Sequence, residues 1–263
     1  MAGKKIGLAL SGGGARGFAH IGALKVLADH GVPIDLIAGT SAGSIVGGAL
    51  ASGMTPLEIE SMASRIGFLN MGRPSFSLSG LISTVPMGRF LKREFPVGRF
   101  EDLKIPFAAV AYDLAKGEEV VFKDTGDLFQ AIRASCSVPG IFTPVYDENG
   151  RVLVDGGVTS ILPTDVVAAM GADIVIAVDV LACGGVYSST PRSGLGVLVR
   201  SALAVVRGSS KNQGRAADIV IEPRIAHLRP DQVKKRDEFI SLGEAAANEN
   251  IDRIMELLVA AGE

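Results

Sequence analysis

Apolar positions along this chain come in short unbroken runs, and helical stretches with mixed periodicity separate them. Residues 5–10 and 35–39 read as strands, and glycine-rich turns follow both. Residues 18–30 read as a helix with Ile21, Leu24, Val26 and Leu27 mostly on one face, closed by Gly31. A second helix covers 42–52. A third starts at Thr55, with Glu58 three residues on as its capping partner. Periodicity then fails over 66–85, where Gly, Ser, Asn and Pro are frequent, and this stretch reads as a long loop. Residues 85–95 are helical again. Strands at 106–113 and 118–122 read as a hairpin around Lys116-Gly117. A helix at 128–135, a short strand at 151–154 and a helix at 163–170 come next. Residues 173–180 form a continuous apolar run, as in a sheet buried on both faces. A Gly/Ser loop at 183–195, a helix to about residue 207, a strand at 218–222 and a helix over 231–259 complete the chain. Alternating strands and helices with buried strands predict an α/β domain of three layers.

Composition narrows this. The chain has 263 residues, 48% of them hydrophobic, which is enough for one large core, and residues 1–263 are expected to form a single domain. Lys and Arg number 26 and Asp and Glu 28, spread without a basic stripe, which argues against nucleic acid. No apolar run is long enough for a signal peptide or a membrane span. Cys136 and Cys183 have no Cys or His at ligand spacing and read as small hydrophobes. The expected compartment is the cytoplasm.

Three constellations carry chemistry. Gly39-Thr40-Ser41-Ala42-Gly43 is a G-x-S-x-G run between an apolar strand and an apolar helix. That is the form of a nucleophile elbow, in which a sharp turn lifts the Ser41 hydroxyl above the sheet. Ser11-Gly12-Gly13-Gly14-Ala15-Arg16-Gly17 joins the first strand to the first helix. Gly12, Gly14 and Gly17 satisfy G-x-G-x-x-G. A dinucleotide site also wants an acid at the end of the next strand, where this chain has Thr40-Ser41, so a nucleotide is disfavoured. The better reading is an anion cradle. Backbone N–H groups of Gly12, Gly13 and Gly14 converge on an oxyanion, and Arg16 orients the loop or adds positive field. Val154-Asp155-Gly156-Gly157 ends a strand, and Asp155 taken alone reads as the cap of the following turn. Three histidines are present. His20 lies in the first helix, His30 at its end and His227 in a polar loop. Ser41, Asp155 and His227 keep the order of an α/β-hydrolase triad, yet the elbow follows only the second strand, too early for that fold.

Together these motifs resemble the patatin-like phospholipases, specifically the small bacterial members related to the neuropathy-target-esterase branch. The resemblance is carried by residues 12–17, 39–43 and 155–157. Supporting stretches are Phe18-Ala19-His20-Ile21-Gly22, Ala134-Ser135-Cys136-Ser137-Val138-Pro139-Gly140 and Gly171-Ala172-Asp173-Ile174-Val175, and the match covers about residues 5–180. It implies a three-layer α/β/α fold with a mainly parallel sheet and hydrolysis of lipid acyl esters by a Ser41/Asp155 dyad without histidine. It implies no metal or organic cofactor. Gly17, Gly39, Gly43, Gly156 and Gly157 become the motif's turn glycines. A peripheral encounter with lipid at the inner membrane surface is expected, with Phe68, Leu69, Met71, Phe76, Leu78, Leu81 and Ile82 of the 66–85 loop as a lid or interfacial surface. The alternative from another class is a regulatory or adaptor protein that keeps the fold without turnover.

Overall fold

The computed structural model describes residues 4–75, 79–184 and 194–262. Strand β1 (Ile6–Leu10) is buried along its length and passes through the glycine loop into helix α1 (Phe18–Asp29). Strand β2 (Leu36–Thr40), equally buried, enters α2 (Ala42–Ala51) through the single residue Ser41. Thr55 caps α3 (Pro56–Ser64). Its hydroxyl accepts from the Glu58 N–H, and the Glu58 carboxylate accepts from the Thr55 N–H. Next come α4 (Phe68–Met71), β3 (Arg73–Pro74), β4 (Gly80–Ser83) and α5 (Val85–Glu94). The hairpin of β5 (Phe107–Asp113) and β6 (Glu118–Phe122) turns at Gly117, whose φ of 73° favours glycine. After it run α6 (Leu128–Ser135), β7 (Gly140–Phe142), β8 (Val145–Tyr146), β9 (Val152–Asp155), α7 (Thr164–Ala169) and β10 (Ile174–Val178). The chain closes with α8 (Gly194–Gly214), β11 (Ile219–Ile221), α9 (Arg236–Asn248) and α10 (Ile251–Gly262).

The main sheet runs β11-β10-β1-β2-β5-β9-β8, with β6 also on β5. Strands β11, β10, β1, β2 and β5 are parallel, whereas β6, β8 and β9 join antiparallel. Alternate residues feed two cores. Leu8, Leu10, Ile37, Phe107 and Val178 pack with α1, α2, α6 and α9 on one face. Ala9, Ala38, Ala108, Val110 and Ala177 pack with Val166 and Val167 of α7 on the other. Helices therefore cover both faces, which explains why the central strands read as continuous apolar runs.

One feature of the register positions the site. β6 pairs with Ala109 through Asp113 on one edge of β5. The opposite edge is shared: β2 occupies it up to Val110, opposite Thr40, and β9 takes over from Ala111, opposite Asp155. Because β2 runs parallel to β5 and β9 runs against it, their C-terminal ends meet head to head.

The structure departs from the sequence reading in three places. Residues 66–85 are not a plain loop. They hold α4 and the pair β3–β4, and β4 pairs in parallel with β7 in a separate sheet of order β3-β4-β7. Strands this short carry too little pattern to be seen alone; Phe76 and Leu78 lie outside the described residues. The helix expected to end near 207 continues to Gly214. Ser210 donates to Asp179 Oδ2 at 2.6 Å and Gln213 Nε2 to Thr159 O at 2.7 Å, so tertiary bonds override the Gly-Ser-Ser punctuation. The helix expected over 231–259 is two helices. Asn250 breaks it, turning its side-chain amide back to Ala246 O at 2.9 Å. Most of the loop expected at 183–195 falls on residues 185–193, outside the described residues.

Candidate active site

Ser41 stands between β2 and α2 with φ 53° and ψ −122°, a conformation that L-residues avoid. Its surroundings hold it there. The Ser41 N–H donates to Ser135 Oγ at 2.9 Å, and the Ser41 carbonyl accepts from the Ser44 hydroxyl at 2.6 Å and the Ser44 N–H at 2.9 Å. The glycines give the bend room: a Cβ on Gly39 would lie 2.5 Å from Gly43 O, and one on Gly43 would run into the Leu10 carbonyl. Ser41 itself is buried.

Asp155 is the last residue of β9 and is also buried. Its N–H donates to Ser137 O at 3.0 Å. Oδ1 accepts from the Gly157 N–H at 2.8 Å, so the residue does cap the following turn. Oδ2 is buried and, among the described residues, accepts no hydrogen bond of good geometry. Burial pushes the carboxyl up to about 6, while the adjacent Ser41 hydroxyl and the Gly157 N–H pull it back toward ionisation. Capping occupies one oxygen and leaves the other available for chemistry. Gly156 is pressed against the Val110 carbonyl, the residue of β5 where β2 ends, and this lets β9 arrive so close to the elbow.

The glycine loop lies over the elbow, since a Cβ on Gly12 would sit 3.2 Å from Ser41 Cβ. Its donors divide in a way the sequence did not foretell. The Gly12 N–H is already taken by Ile161 O at 2.9 Å, so Gly12 supplies space and not a donor. The Gly13 and Gly14 N–H groups make no hydrogen bond among the described residues. Gly14 adopts φ 59°. Arg16 fits the first of its two expected roles, orienting the loop. Its guanidinium is buried, with Nε and Nη2 donating to Leu228 O at 3.1 and 2.8 Å and Nη1 to Gly184 O at 2.8 Å. Arg16 ties the loop to the C-terminal part of the chain. Gly17 makes room for α2, as its Cβ would meet Ala42 Cβ at 2.6 Å.

The histidines lie elsewhere. His227 is exposed, and its Nε2 pairs with Glu238 Oε1 at 3.1 Å. His30 bonds Val26 O at 2.9 Å through Nδ1 at the end of α1. His20 is fully buried, with Nε2 at 2.8 Å from Ser11 O, the carbonyl that opens the glycine loop. Burial lowers its pKa to about 4, so the ring is neutral. Cys136 is buried beside Ser41 and Asp155, and burial, then the charge of Asp155, push its thiol up and keep it protonated. Sequence reasoning missed Ser135 and His20, which hold the Ser41 N–H and the Ser11 carbonyl. Both lie in stretches matched by the resemblance, yet nothing in their spacing told which atoms they would hold. Among the described residues, no group of three or more His, Cys, Asp or Glu side chains forms a metal site.

The chain is similar to known proteins of one family. The family profile described as Patatin-like phospholipase matches residues 8–168, more than half of the chain. Patatin-like phospholipase domain-containing protein 6 of Mus musculus is 36% identical over 187 residues, which is 68% of this chain and 14% of that protein. An NTE family protein of Mycobacterium bovis is 38% identical over 177 residues, 66% of this chain and 48% of that one. The chain therefore spans less than half the length of these relatives. Among solved structures, VipD of Legionella pneumophila superposes with a TM-score of 0.55 at 14% identity, covering 99% of this chain and 67% of VipD. ExoU of Pseudomonas aeruginosa, in its complex with SpcU, gives 0.54 at 17% identity over 97% of this chain and 53% of that one. These two likenesses speak for the fold, a mixed, mostly parallel sheet clad in helices. The matched stretch runs from β1 past β9, and the chain belongs to the patatin-like phospholipase family.

Proposed function

We propose that the protein is a serine acyl hydrolase that cleaves fatty-acyl esters of phospholipids or lysophospholipids through Ser41 and Asp155, residues 1–263 acting as one domain. The observation that carries this is the head-to-head meeting of β2 and β9 on one edge of β5, which brings a strained serine and a buried carboxylate together. Ser41 Oγ attacks the ester carbonyl as its proton passes to Asp155 Oδ2. The oxyanion forms beneath the Gly13 and Gly14 N–H groups, where no other acceptor competes among the described residues. Collapse expels the alcohol, to which Asp155 returns the proton, and leaves the acyl group on Ser41. Water, deprotonated by Asp155, then attacks the acyl carbon; the bond to Ser41 Oγ breaks, Asp155 returns the proton to Oγ, and the fatty acid leaves.

A free carboxylate at ~3.9 is a poor base for a hydroxyl. Asp155, held near 6, is a stronger one, and it is still mostly ionised at neutral pH. The buried neutral His20 holds the Ser11 carbonyl through Nε2 at 2.8 Å, which fixes the start of the glycine loop.

The test is hydrolysis of p-nitrophenyl butyrate and of a lysophospholipid chain-length series by purified protein. Ser41→Ala should abolish both, and His227→Gln should retain most activity. Undiminished turnover in Ser41→Ala would remove the nucleophile. Loss in His227→Gln with normal circular dichroism would favour a triad. A well-folded parent with no turnover on any ester would favour the regulatory alternative.

A further inference from the structure

Arg133 is a cation without an anion. It lies in the last turn of α6, half-buried, and its Nε is enclosed with no hydrogen-bond partner among the described residues. Burial lowers the pKa of the guanidinium, and only Asp127, the N-cap at the far end of α6, pulls the other way. A partly desolvated charge of this kind is costly until an opposite charge reaches it.

The start of α5 lies against Arg133. A Cβ on Gly88 would sit 2.6 Å from Arg133 Cδ and 3.4 Å from Nε, so glycine lets the arginine lie directly on that helix. One turn back on the same face is Thr84, the N-cap of α5, whose carbonyl accepts from the Gly88 N–H at 3.3 Å. Thr84 is 1% exposed, yet its hydroxyl neither caps the helix nor bonds anything else among the described residues. The N-terminus of α5 adds its own positive partial charge. A guanidinium, a buried hydroxyl and a helix N-terminus thus gather within one turn, and the first two lack an acceptor.

This place adjoins Ser41 and Asp155. β4 leads into α5 and β7 follows α6, and their pairing, with the Thr143 N–H on Ile82 O at 2.8 Å, draws the start of α5 to the end of α6. That end of α6 holds both turns of the site: Ser135 Oγ accepts from the Ser41 N–H, and Ser137 O accepts from the Asp155 N–H. Arg133 precedes Ser137 by about one helical turn, ~6 Å of rise, and its carbonyl accepts from the Ser137 hydroxyl at 2.8 Å.

We propose that Arg133, Thr84 and the first turn of α5 form a subsite for a phosphoryl group, the one in the headgroup of the substrate. In a glycerophospholipid the phosphate shares its glycerol with the scissile ester, so a cation close to Ser41 and Asp155 is placed to meet it. The planar fork of arginine matches two phosphate oxygens, and the Thr84 hydroxyl can donate to a third. A water would satisfy the hydroxyl but would leave the cation uncompensated. The assignment rests on the reading of the protein as a lipid acyl hydrolase and narrows its substrates to esters that carry phosphate.

The experiment compares hydrolysis of hexanoyl lysophosphatidate with that of hexanoylglycerol, and runs calorimetry with glycerol phosphate and with inorganic phosphate. The wild type should prefer the phosphate-bearing ester, and Arg133→Gln should lower that ratio of kcat/KM values about tenfold or more. Arg133→Lys should retain part of the preference, since the charge stays and the fork is lost. Thr84→Val, of similar shape, should lower the ratio about threefold. A ratio that Arg133→Gln leaves unchanged would overturn the proposal, whether both rates persist or both fall together. So would inorganic phosphate that binds through Arg133 while the ratio does not move, because free phosphate would then be the ligand. If neither ester is hydrolysed, calorimetry decides: glycerol phosphate binding that Arg133→Gln abolishes would uphold the subsite and remove the hydrolase reading, and no binding would remove both.

Discussion

Two chain reversals meet at the edge of β5, and they are built in opposite ways. The turn at Ser41 is strained: φ is 53°, and a hydrogen bond donated to Ser135 and others accepted from Ser44 brace it. The turn at Asp155 is relaxed, with φ −51° and ψ 132°, but it places a carboxylate where burial lifts its pKa to about 6. The cost at Ser41 is conformational and the cost at Asp155 is electrostatic. Each therefore answers to a different experiment, one to substitutions that ease the backbone and the other to pH.

The largest effects are on turnover. Ser41→Ala removes the nucleophile and Asp155→Asn removes the base, and each should lower kcat by roughly 10³-fold or more. The double variant should be little worse than either single one, because the two act as a unit. Additive losses on p-nitrophenyl butyrate would break the pairing of the turns. In the parent, kcat/KM should fall tenfold per pH unit below about 6, as Asp155 gains its proton. An acid limb centred near 4 would mean the carboxyl is not held as its burial implies.

Stability should separate the turns next. Asp155 binds a proton more tightly folded than unfolded, so its carboxyl favours the fold below about 4 and that advantage is lost as pH rises through 6. Asp155→Asn should thus stabilise the protein at pH 8 by about 2–3 kcal/mol in urea denaturation, and by little at pH 4. His20 has the opposite sign. With its folded pKa lowered to about 4, its contribution is complete above 6.5 and is lost as pH falls toward 4. His20→Gln should flatten that acid decline. An equal Asp155→Asn effect at both pH values would show that the buried charge is not what the turn bears.

Ser135 tests the brace. Removing its hydroxyl in Ser135→Ala leaves the Ser41 N–H buried without its acceptor, which should destabilise by about 1–3 kcal/mol. It should also lower kcat more than it raises KM, since the turn that aims Ser41 loosens. A variant that loses stability with unchanged kcat would make Ser135 a packing residue only.

The two turns also differ in how far the sequence exposed them. Gly39 to Gly43 carries the elbow in five consecutive residues, because a tight bend must be solved locally by small side chains. Asp155 read alone as a cap, and it is a cap; the free Oδ2 appears only once β9 is seated against Ala111. Long-range register is a tertiary fact. The same limit explains residues 66–85, whose strand β4 exists by pairing with β7, some sixty residues away. A deletion between Gly72 and Gly80 would therefore disturb the small sheet as well as any route for acyl chains. It also explains the glycine loop: G-x-G-x-x-G told where donors gather, but not that Ile161 takes the Gly12 N–H or that Arg16 is spent on Leu228 and Gly184 carbonyls. Gly13→Ala is a blunt probe for the same reason, as its Cβ would lie 2.5 Å from Val180 Cγ2. The central strands were legible since burial on both faces leaves little but Val, Ile, Leu, Ala and Gly to choose from.

The smallest effect addresses the strain itself. Ser41→Ala and Ser41→Gly both lack the hydroxyl, so both should be inactive, and chemistry drops out of their comparison. They differ in what φ 53°, ψ −122° asks of them. Alanine keeps a Cβ and the strain with it, on the order of 1–3 kcal/mol for such a conformation. Glycine adopts the turn freely, but its unfolded chain has more freedom to lose, a penalty of roughly 0.4–1 kcal/mol. The first term outweighs the second, so Ser41→Gly should be the more stable of the two by about 1 kcal/mol in parallel urea titrations at pH 8. Should alanine prove equal or better, the bracing by Ser135 and Ser44 would be accommodating the turn without stored strain, and the contrast between a conformationally loaded nucleophile and an electrostatically loaded base would fall on its first half.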